Sequence, residues 1–370
     1  MSTDQPQRAS WVAAVLIGLT VAAVGAGLYA AVERPTEHTP TYTGEHRLAG
    51  ADLKYYRIVV ERVGQGENYY DVAREQLPAW GFPINSPFNW RLPTYAYLLG
   101  ALPGPEWIRA VVALIGFAGL GLCLAAEFRD IDFVPACGTG LLLLGVATWP
   151  LAGDAFLAQE VWAGMLILLS VGAAGCAPYS PRWRVVAVAA GLLALFFREL
   201  VLPYCLFAGV LAFWYGRRIE GAVWLAGVAL FFAYLRWHGQ QVAQQLPPGE
   251  QGGGLGMAAW VQFGGLGFDL MATRMNAFVM PLPGWAILLY LLLALIGLLA
   301  WEGERGRLLA LTTVAYLFAY AVIGRSMNFN WGLMFAALLP FGVVRAPAAL
   351  RAVVRNWSGE ADSPVGSGAA

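Results

Sequence analysis

Charge is what this chain has least of. Charged residues fill 12% of its 370 positions against 59% hydrophobic, and the mean hydropathy is +0.59. One soluble core cannot hide that much apolar surface, so an integral membrane protein is expected. The few charges cancel to a net of zero with no block of one sign, which leaves nothing to hold nucleic acid or a generally acidic partner. Lysine is nearly absent. Lys54 is the single one, so any anion must be held by arginine, whose planar fork matches phosphate oxygens. Cysteine is scarce as well: Cys123, Cys137, Cys176 and Cys205 lie in or beside apolar runs, without CxxC spacing and with none in the long polar loop. That pattern supports neither a disulfide framework nor a zinc site. No internal repeat is visible, which speaks against transporters built from paired halves.

What the chain has in abundance is long charge-free apolar runs. A hydrocarbon core ~30 Å thick takes about 20 helical residues at ~1.5 Å each, and about 17 suffice. Runs at residues 11–32, 108–126, 133–151, 161–177, 185–197, 200–215, 221–235, 285–301, 308–324 and 331–344 give about ten candidates. The first exceeds the apolar length of a signal peptide, and its flank balances Arg8 with Asp4, so it reads as a retained helix. Residues 185–215 overshoot the bilayer as one span and fall short as two, and arginine decides between them. Arg129, Arg182, Arg184, Arg217, Arg218, Arg305, Arg307, Arg345, Arg351 and Arg355 share one side only if the stretch is split, as the positive-inside rule requires.

The expectation is therefore an all-α polytopic membrane protein with a long first external loop containing juxtamembrane helices. Residues 1–344 form one transmembrane catalytic domain, and 345–370 a cytoplasmic tail, first a basic amphipathic helix and then disordered. Both termini are cytoplasmic. The loops at 33–107, 153–160, 198–199, 236–284 and 325–330 face outward.

Short spans with polar outer ends imply a water-filled cavity on that side. The first outer loop reads GADLKYYRIVVERVGQGENYYDVARE from Gly50, then NSPFNWRLPTYAYLLGALP from Asn85. Its dense aromatics suit carbohydrate stacking and an interfacial belt equally. A helix is expected over 52–62, with Leu53, Tyr56, Val60 and Val63 on one stripe, before Pro78, Pro83, Pro87 and Pro93 punctuate an irregular crossing. Asp52 falls in that helix's first turn, where a carboxylate is favoured whether it caps or catalyses. Asp71, Asp154 and Glu160 are loop charges, acceptor-binding groups or alternative bases. Arg91, Arg198, Arg274 and Arg325 are the cations placed to meet a phosphate, with Glu199 as a neutralising neighbour of Arg198. His238, beside Trp237, either touches phosphate or sits at the interface. In the second long loop an apolar stretch carrying Asp269 and Arg274 is expected to be a half-buried amphipathic helix that moves as a flap.

The order Asp52-x-x-Tyr55-Tyr56, Gly66-x-x-Tyr69-Tyr70-Asp71 and Trp90-Arg91-x-Pro93-x-x-x-Tyr97 resembles the GT-C class of membrane glycosyltransferases. It resembles in particular the branch of that class containing polyprenyl-phosphate-mannose and arabinose transferases. DAFLAQEVWAGMLILLS from Asp154 and FFRELVLPY from Phe196 resemble that class further along, while beyond Tyr215 only the hydrophobic layout agrees. The resemblance implies a cell-envelope enzyme of the prokaryotic inner membrane, with a polyprenyl-phosphate sugar as donor and an extracytoplasmic glycan, lipid or protein as acceptor. It implies Asp52 as the base of an inverting transfer, with Tyr55, Tyr56, Trp90, Asp71, Asp154 and Glu160 around the sugar and acceptor. One carboxylate is enough for such chemistry, because the phosphate leaves already charged and needs no acid, unlike the leaving group in glycoside hydrolysis. No ligand cluster calls for a metal, and a divalent cation is the one cofactor left open. Two other readings remain: a lipid or oligosaccharide transporter or flippase, which would set its ionisable groups at mid-bilayer, and an oligosaccharide polymerase or ligase, whose large loop would come late in the chain.

Overall fold

In the computed structural model of the chain, residues 51–84, 86–246 and 261–358 are described. The expected first span at 11–32 and the tail end at 359–370 lie outside the described residues. Among those described, every regular element is helical.

The first loop is built of helices. α1 (Ala51–Gly64) covers the expected 52–62 helix and buries Tyr55, Tyr56, Val59, Val60 and Val63 on one face. Its last turn is tied to α2 (Tyr69–Ala79) by Arg62, whose Nε donates to Glu67 at 2.8 Å and Nη1 to Glu75 at 2.7 Å. Asn68 caps α2 by accepting from the Tyr70 amide at 2.8 Å. α3 (Pro87–Trp90) and α4 (Pro93–Gly100) each open on a proline, whose missing N–H costs nothing in a first turn. The crossing between Pro78 and Pro93 is irregular as expected, with the one-turn α3 set into it.

The bundle follows: α5 (Pro105–Asp130), α6 (Phe133–Thr148), α7 (Gln159–Cys176), α8 (Arg182–Phe197), α9 (Leu202–Trp214), α10 (Arg218–Gln245), α11 (Gly265–Thr273), α12 (Gly284–Ala300), α13 (Glu304–Ile323), α14 (Leu333–Ala336) and α15 (Leu339–Ser358). Every expected run from 108–126 onward is occupied by a helix. What falls short is length. Five described helices are long and apolar enough to cross a membrane, or six when the pair Met327–Ala336 and Leu339–Arg355, bent by 60°, counts as one span. The described residues therefore hold five or six helices that could span a membrane, with the other expected runs occupied by shorter helices. At 16, 13 and 17 residues, α8, α9 and α12 reach only about 20–26 Å. Leu114, Leu230 and Phe318 are 70%, 63% and 75% exposed, a surface suited to lipid.

α7 is the axis of the bundle, 89% buried, with α5 and α8 along its sides and α14 across it. α5 approaches it through glycine. A Cβ at Gly172 would meet the Gly119 carbonyl oxygen at 2.7 Å, and one at Gly119 would meet the Leu169 amide nitrogen at 2.7 Å. Close backbone approach through small residues is how helices gain dispersion contacts where lipid removes the hydrophobic drive.

The expected break inside 185–215 falls at Arg198, whose extended backbone (φ −149°) ends α8 before a turn over Glu199–Val201. α15 runs through residue 344, the expected end of the membrane domain, without interruption. Arg345 is instead part of the interior: its Nη1 lies 2.7 Å from fully buried Glu127, which also pairs with Arg305 at 2.9 Å, joining α5, α13 and α15. α10 stays helical to Gln245, past the expected loop start at 236. α11 is half-buried as expected, with Phe268, Asp269, Ala272 and Thr273 turned into the bundle and the other five positions partly or fully exposed. The amides of Gln262 and Phe263 donate to the Val322 carbonyl at 3.1 and 2.8 Å.

Candidate active site

One end of the bundle, beneath α1–α4, gathers most of the residues that could do chemistry. Asp52 stands half-buried in the first turn of α1 and makes no ion pair among the described residues. Arg91 follows α3 with φ 62° and ψ 162°, a region essentially reserved for glycine, where another residue costs about 1–3 kcal/mol. Its neighbours hold it there. The Tyr69 hydroxyl donates to the carbonyls of Trp90 and Arg91, the latter at 3.1 Å, and the buried Trp90 indole donates to the Ile84 carbonyl at 2.8 Å. Burial pulls the Arg91 pKa down, but Tyr56, Glu160, Asp52 and Glu199 outweigh it and the net shift is upward. Its guanidinium makes no ion pair among the described residues, so it is a permanent cation in the field of several acids.

Tyr55 and Tyr56 are 2% exposed and Trp90 is fully buried. Tyr55 packs on Tyr56 at 5.7 Å and on Phe82 at 5.6 Å, and Tyr56 on Tyr95 at 5.6 Å. Burial pushes both phenols above their ordinary range, so they stay neutral. None of the three rings offers an open face for stacking a sugar; they belong to the packed interior around α1.

Deeper, Arg198 is 1% exposed between two acids, with Nη1 2.7 Å from Glu199 and Nε 3.1 Å from Glu160. The Glu160 contact is out of hydrogen-bond line, which leaves both of its oxygens, and both polar atoms of buried Gln159, without hydrogen bonds among the described residues. Such orphaned groups are rare in native interiors. Glu160 lies in the first turn of α7, where the helix dipole favours its charge. Tyr320 is within electrostatic reach of Arg198, Glu160, Glu199 and Asp269, and its hydroxyl donates to the Trp331 carbonyl at 3.0 Å. Asp269 is 6% exposed, its Oδ1 has no hydrogen bond among the described residues, and burial pushes its carboxyl up to about 7.

The remaining expected site residues lie outside this cluster. Asp71 is exposed on α2, and Asp154 forms a half-exposed ion pair with Arg57. Arg57 also lines a cavity of about 300 Å³ with Glu61, Gln65, Leu99 and Ile108. Arg274 donates from Nη1 to the Met280 carbonyl at 3.0 Å, and half-buried Arg325 precedes the turn Ser326–Gly332. His238 is structural. Its Nε2 must donate to the Pro87 carbonyl at 3.2 Å, so Nδ1 accepts the Tyr70 hydroxyl at 2.9 Å, pinning α10 to α2 and α3. Among the described residues no three His, Cys, Asp or Glu side chains gather to hold a metal ion.

Sequence reasoning missed Gln159 and the reach of Asp269. The signal for the first was a Gln-Glu step opening an otherwise apolar run, and for the second a lone acid in an apolar stretch. No family model matches the chain, and neither a curated protein nor a solved structure matches it. The likeness to GT-C transferases thus rests on the residues quoted for it.

Proposed function

We propose that this chain is an integral membrane glycosyltransferase that moves a sugar from a polyprenyl-phosphate donor to a glycan, lipid or protein acceptor with inversion. The observation that carries the reading is the pair Asp52 and Arg91, a carboxylate and a cation both without an ion pair among the described residues, within electrostatic reach of each other and of the buried acids Glu160 and Glu199 that hold Arg198. Asp52 accepts the proton of the acceptor hydroxyl as that oxygen attacks the anomeric carbon. The bond to the lipid phosphate breaks, and its electron pair leaves with the phosphate. Arg91 binds the phosphate oxygens through its fork. Arg198, already compensated by Glu160 and Glu199, positions those acids instead, and Glu160, buried with no hydrogen bond to either oxygen among the described residues, is a reserve acceptor for a sugar hydroxyl once the site opens to substrate. The placement of arginine along the chain supports a site on the outer face of a prokaryotic inner membrane, with both termini in the cytoplasm.

The test is release of polyprenyl phosphate by purified protein in detergent, with a panel of polyprenyl-phosphate sugars and a crude acceptor pool, for wild type beside Asp52→Asn. The expected outcome is sugar-specific release that falls roughly 10²–10⁴-fold in the variant, as for loss of a general base. Full release by the variant removes Asp52 from that role. Absence of release with every donor, alongside tight lipid binding, turns the reading to a flippase.

A further inference from the structure

At the opposite end of the bundle a groove of about 760 Å³ runs between α8 and α10, walled by Val185, Val188, Ala189, Leu192, Ile219 and Val223. Arg184, Arg217, Arg218 and Glu220 stand along it. Arg184, Arg217 and Glu220 also line an adjoining pocket of about 250 Å³ that reaches Arg305 and Glu304. The arginines are not equivalent. Arg217 is compensated, with Nε 2.7 Å from Glu220 and Nη1 2.6 Å from Glu304. Arg184 and Arg218 are exposed and make no ion pair among the described residues. The site therefore carries two uncompensated positive charges over an apolar slot.

We propose that this groove holds an anionic phospholipid of the adjacent leaflet, its phosphate on Arg184 and Arg218 and one acyl chain along Val185, Ala189, Leu192 and Val223. Charge complementarity selects this occupant. An acyl chain gains little by leaving bulk lipid for an apolar groove, so selectivity must come from the headgroup. A zwitterionic headgroup brings no net charge to match the two arginines. The positive-inside rule accounts for arginine on this side of the membrane but not for a slot beneath it. The inference stands apart from the proposed transferase chemistry, which lies at the other end of the bundle.

Native mass spectrometry of the delipidated full chain tests it, with phosphatidylglycerol and phosphatidylethanolamine of identical acyl chains as probes. Wild type should retain phosphatidylglycerol on the order of tenfold better, given the attraction per basic residue near an anionic lipid. The Arg184→Gln, Arg218→Gln double variant should lose that preference. Ala189→Trp, which fills the slot from an exposed position and leaves both arginines, should lose phosphatidylglycerol altogether. Equal retention of the two lipids by wild type overturns the proposal whether or not any variant folds. So does an undiminished preference in the double variant. Undiminished retention in Ala189→Trp would mean surface charge attracts the lipid without the groove.

Discussion

At the scale of single residues, environment separates groups that look alike in the sequence. Arg91 and Arg198 both sit near helix ends, yet Arg198 is buried between two acids and Arg91 is not ion-paired among the described residues. The acids diverge in the same way, since Asp154 is neutralised by Arg57 whereas Asp269 is buried with an oxygen unsatisfied. Burial raises the Asp269 carboxyl from about 3.8 to about 7, and this has a signed consequence for stability. Below about pH 4 the group is protonated folded or unfolded and costs nothing. Between about 4 and 7 the unfolded chain loses the proton while the folded one keeps it, so stability falls by up to roughly 1.4 kcal/mol per pH unit and then levels off. Asp269→Asn should flatten that segment of the curve. Thermal unfolding in detergent from pH 4.5 to 8 checks this, and an identical pH dependence in the variant would remove Asp269 as its source.

Among elements, the contacts that organise the bundle are made where side chains are smallest. α5 and α7 meet backbone to backbone at Gly119 and Gly172, and α12 and α15 do the same at Gly297 and Gly342. Gly172→Ala should force α5 away from the axis and cost about 1–3 kcal/mol, the usual penalty of overpacking. Gly121 lies on the same helix as Gly119 with nothing within 4 Å of its would-be Cβ. Gly121→Ala should stabilise by up to about 1 kcal/mol through helix propensity alone. Melting temperatures of the two variants in one detergent decide the matter: shifts of the same sign would mean that the α5–α7 approach is looser than described. The element boundaries tell a similar story of local and distant causes. α1 was legible because its apolar stripe repeats at helical spacing, and the α8–α9 break because a charged pair interrupts an over-long apolar run. The partners of α11 were not legible, because Val322, Gly324 and Gly332 are remote from it in the chain.

For the whole molecule, charge is partitioned between two ends. Asp52, Arg91, Glu160 and Arg198 gather at one; Glu127, Arg217, Glu304, Arg305 and Arg345 gather at the other. Orientation in a membrane follows from labelling these ends. Asp71→Cys, on the exposed face of α2, should react with a membrane-impermeant maleimide in intact cells. Glu302→Cys, exposed between α12 and α13, should react only after permeabilisation, and the reverse pattern would invert the proposed topology. Both variants are made in a Cys137→Ser background, since Cys123, Cys176 and Cys205 are buried and Cys137 is exposed.

The sequence by itself determined that this chain is apolar enough to suit a lipid environment, at which positions most of its helices lie, and that one apolar stretch breaks near Arg198. Those properties depend on hydropathy and spacing within a few tens of residues. Only the tertiary structure decided how many helices are long enough to cross, which arginines are already compensated, and that Tyr55, Tyr56 and Trp90 are buried. The physical reason is that burial and ion pairing are set by partners far away in the chain. Glu127 meets Arg345 across 218 positions, and Tyr70 meets His238 across 168, and no local pattern foretells either.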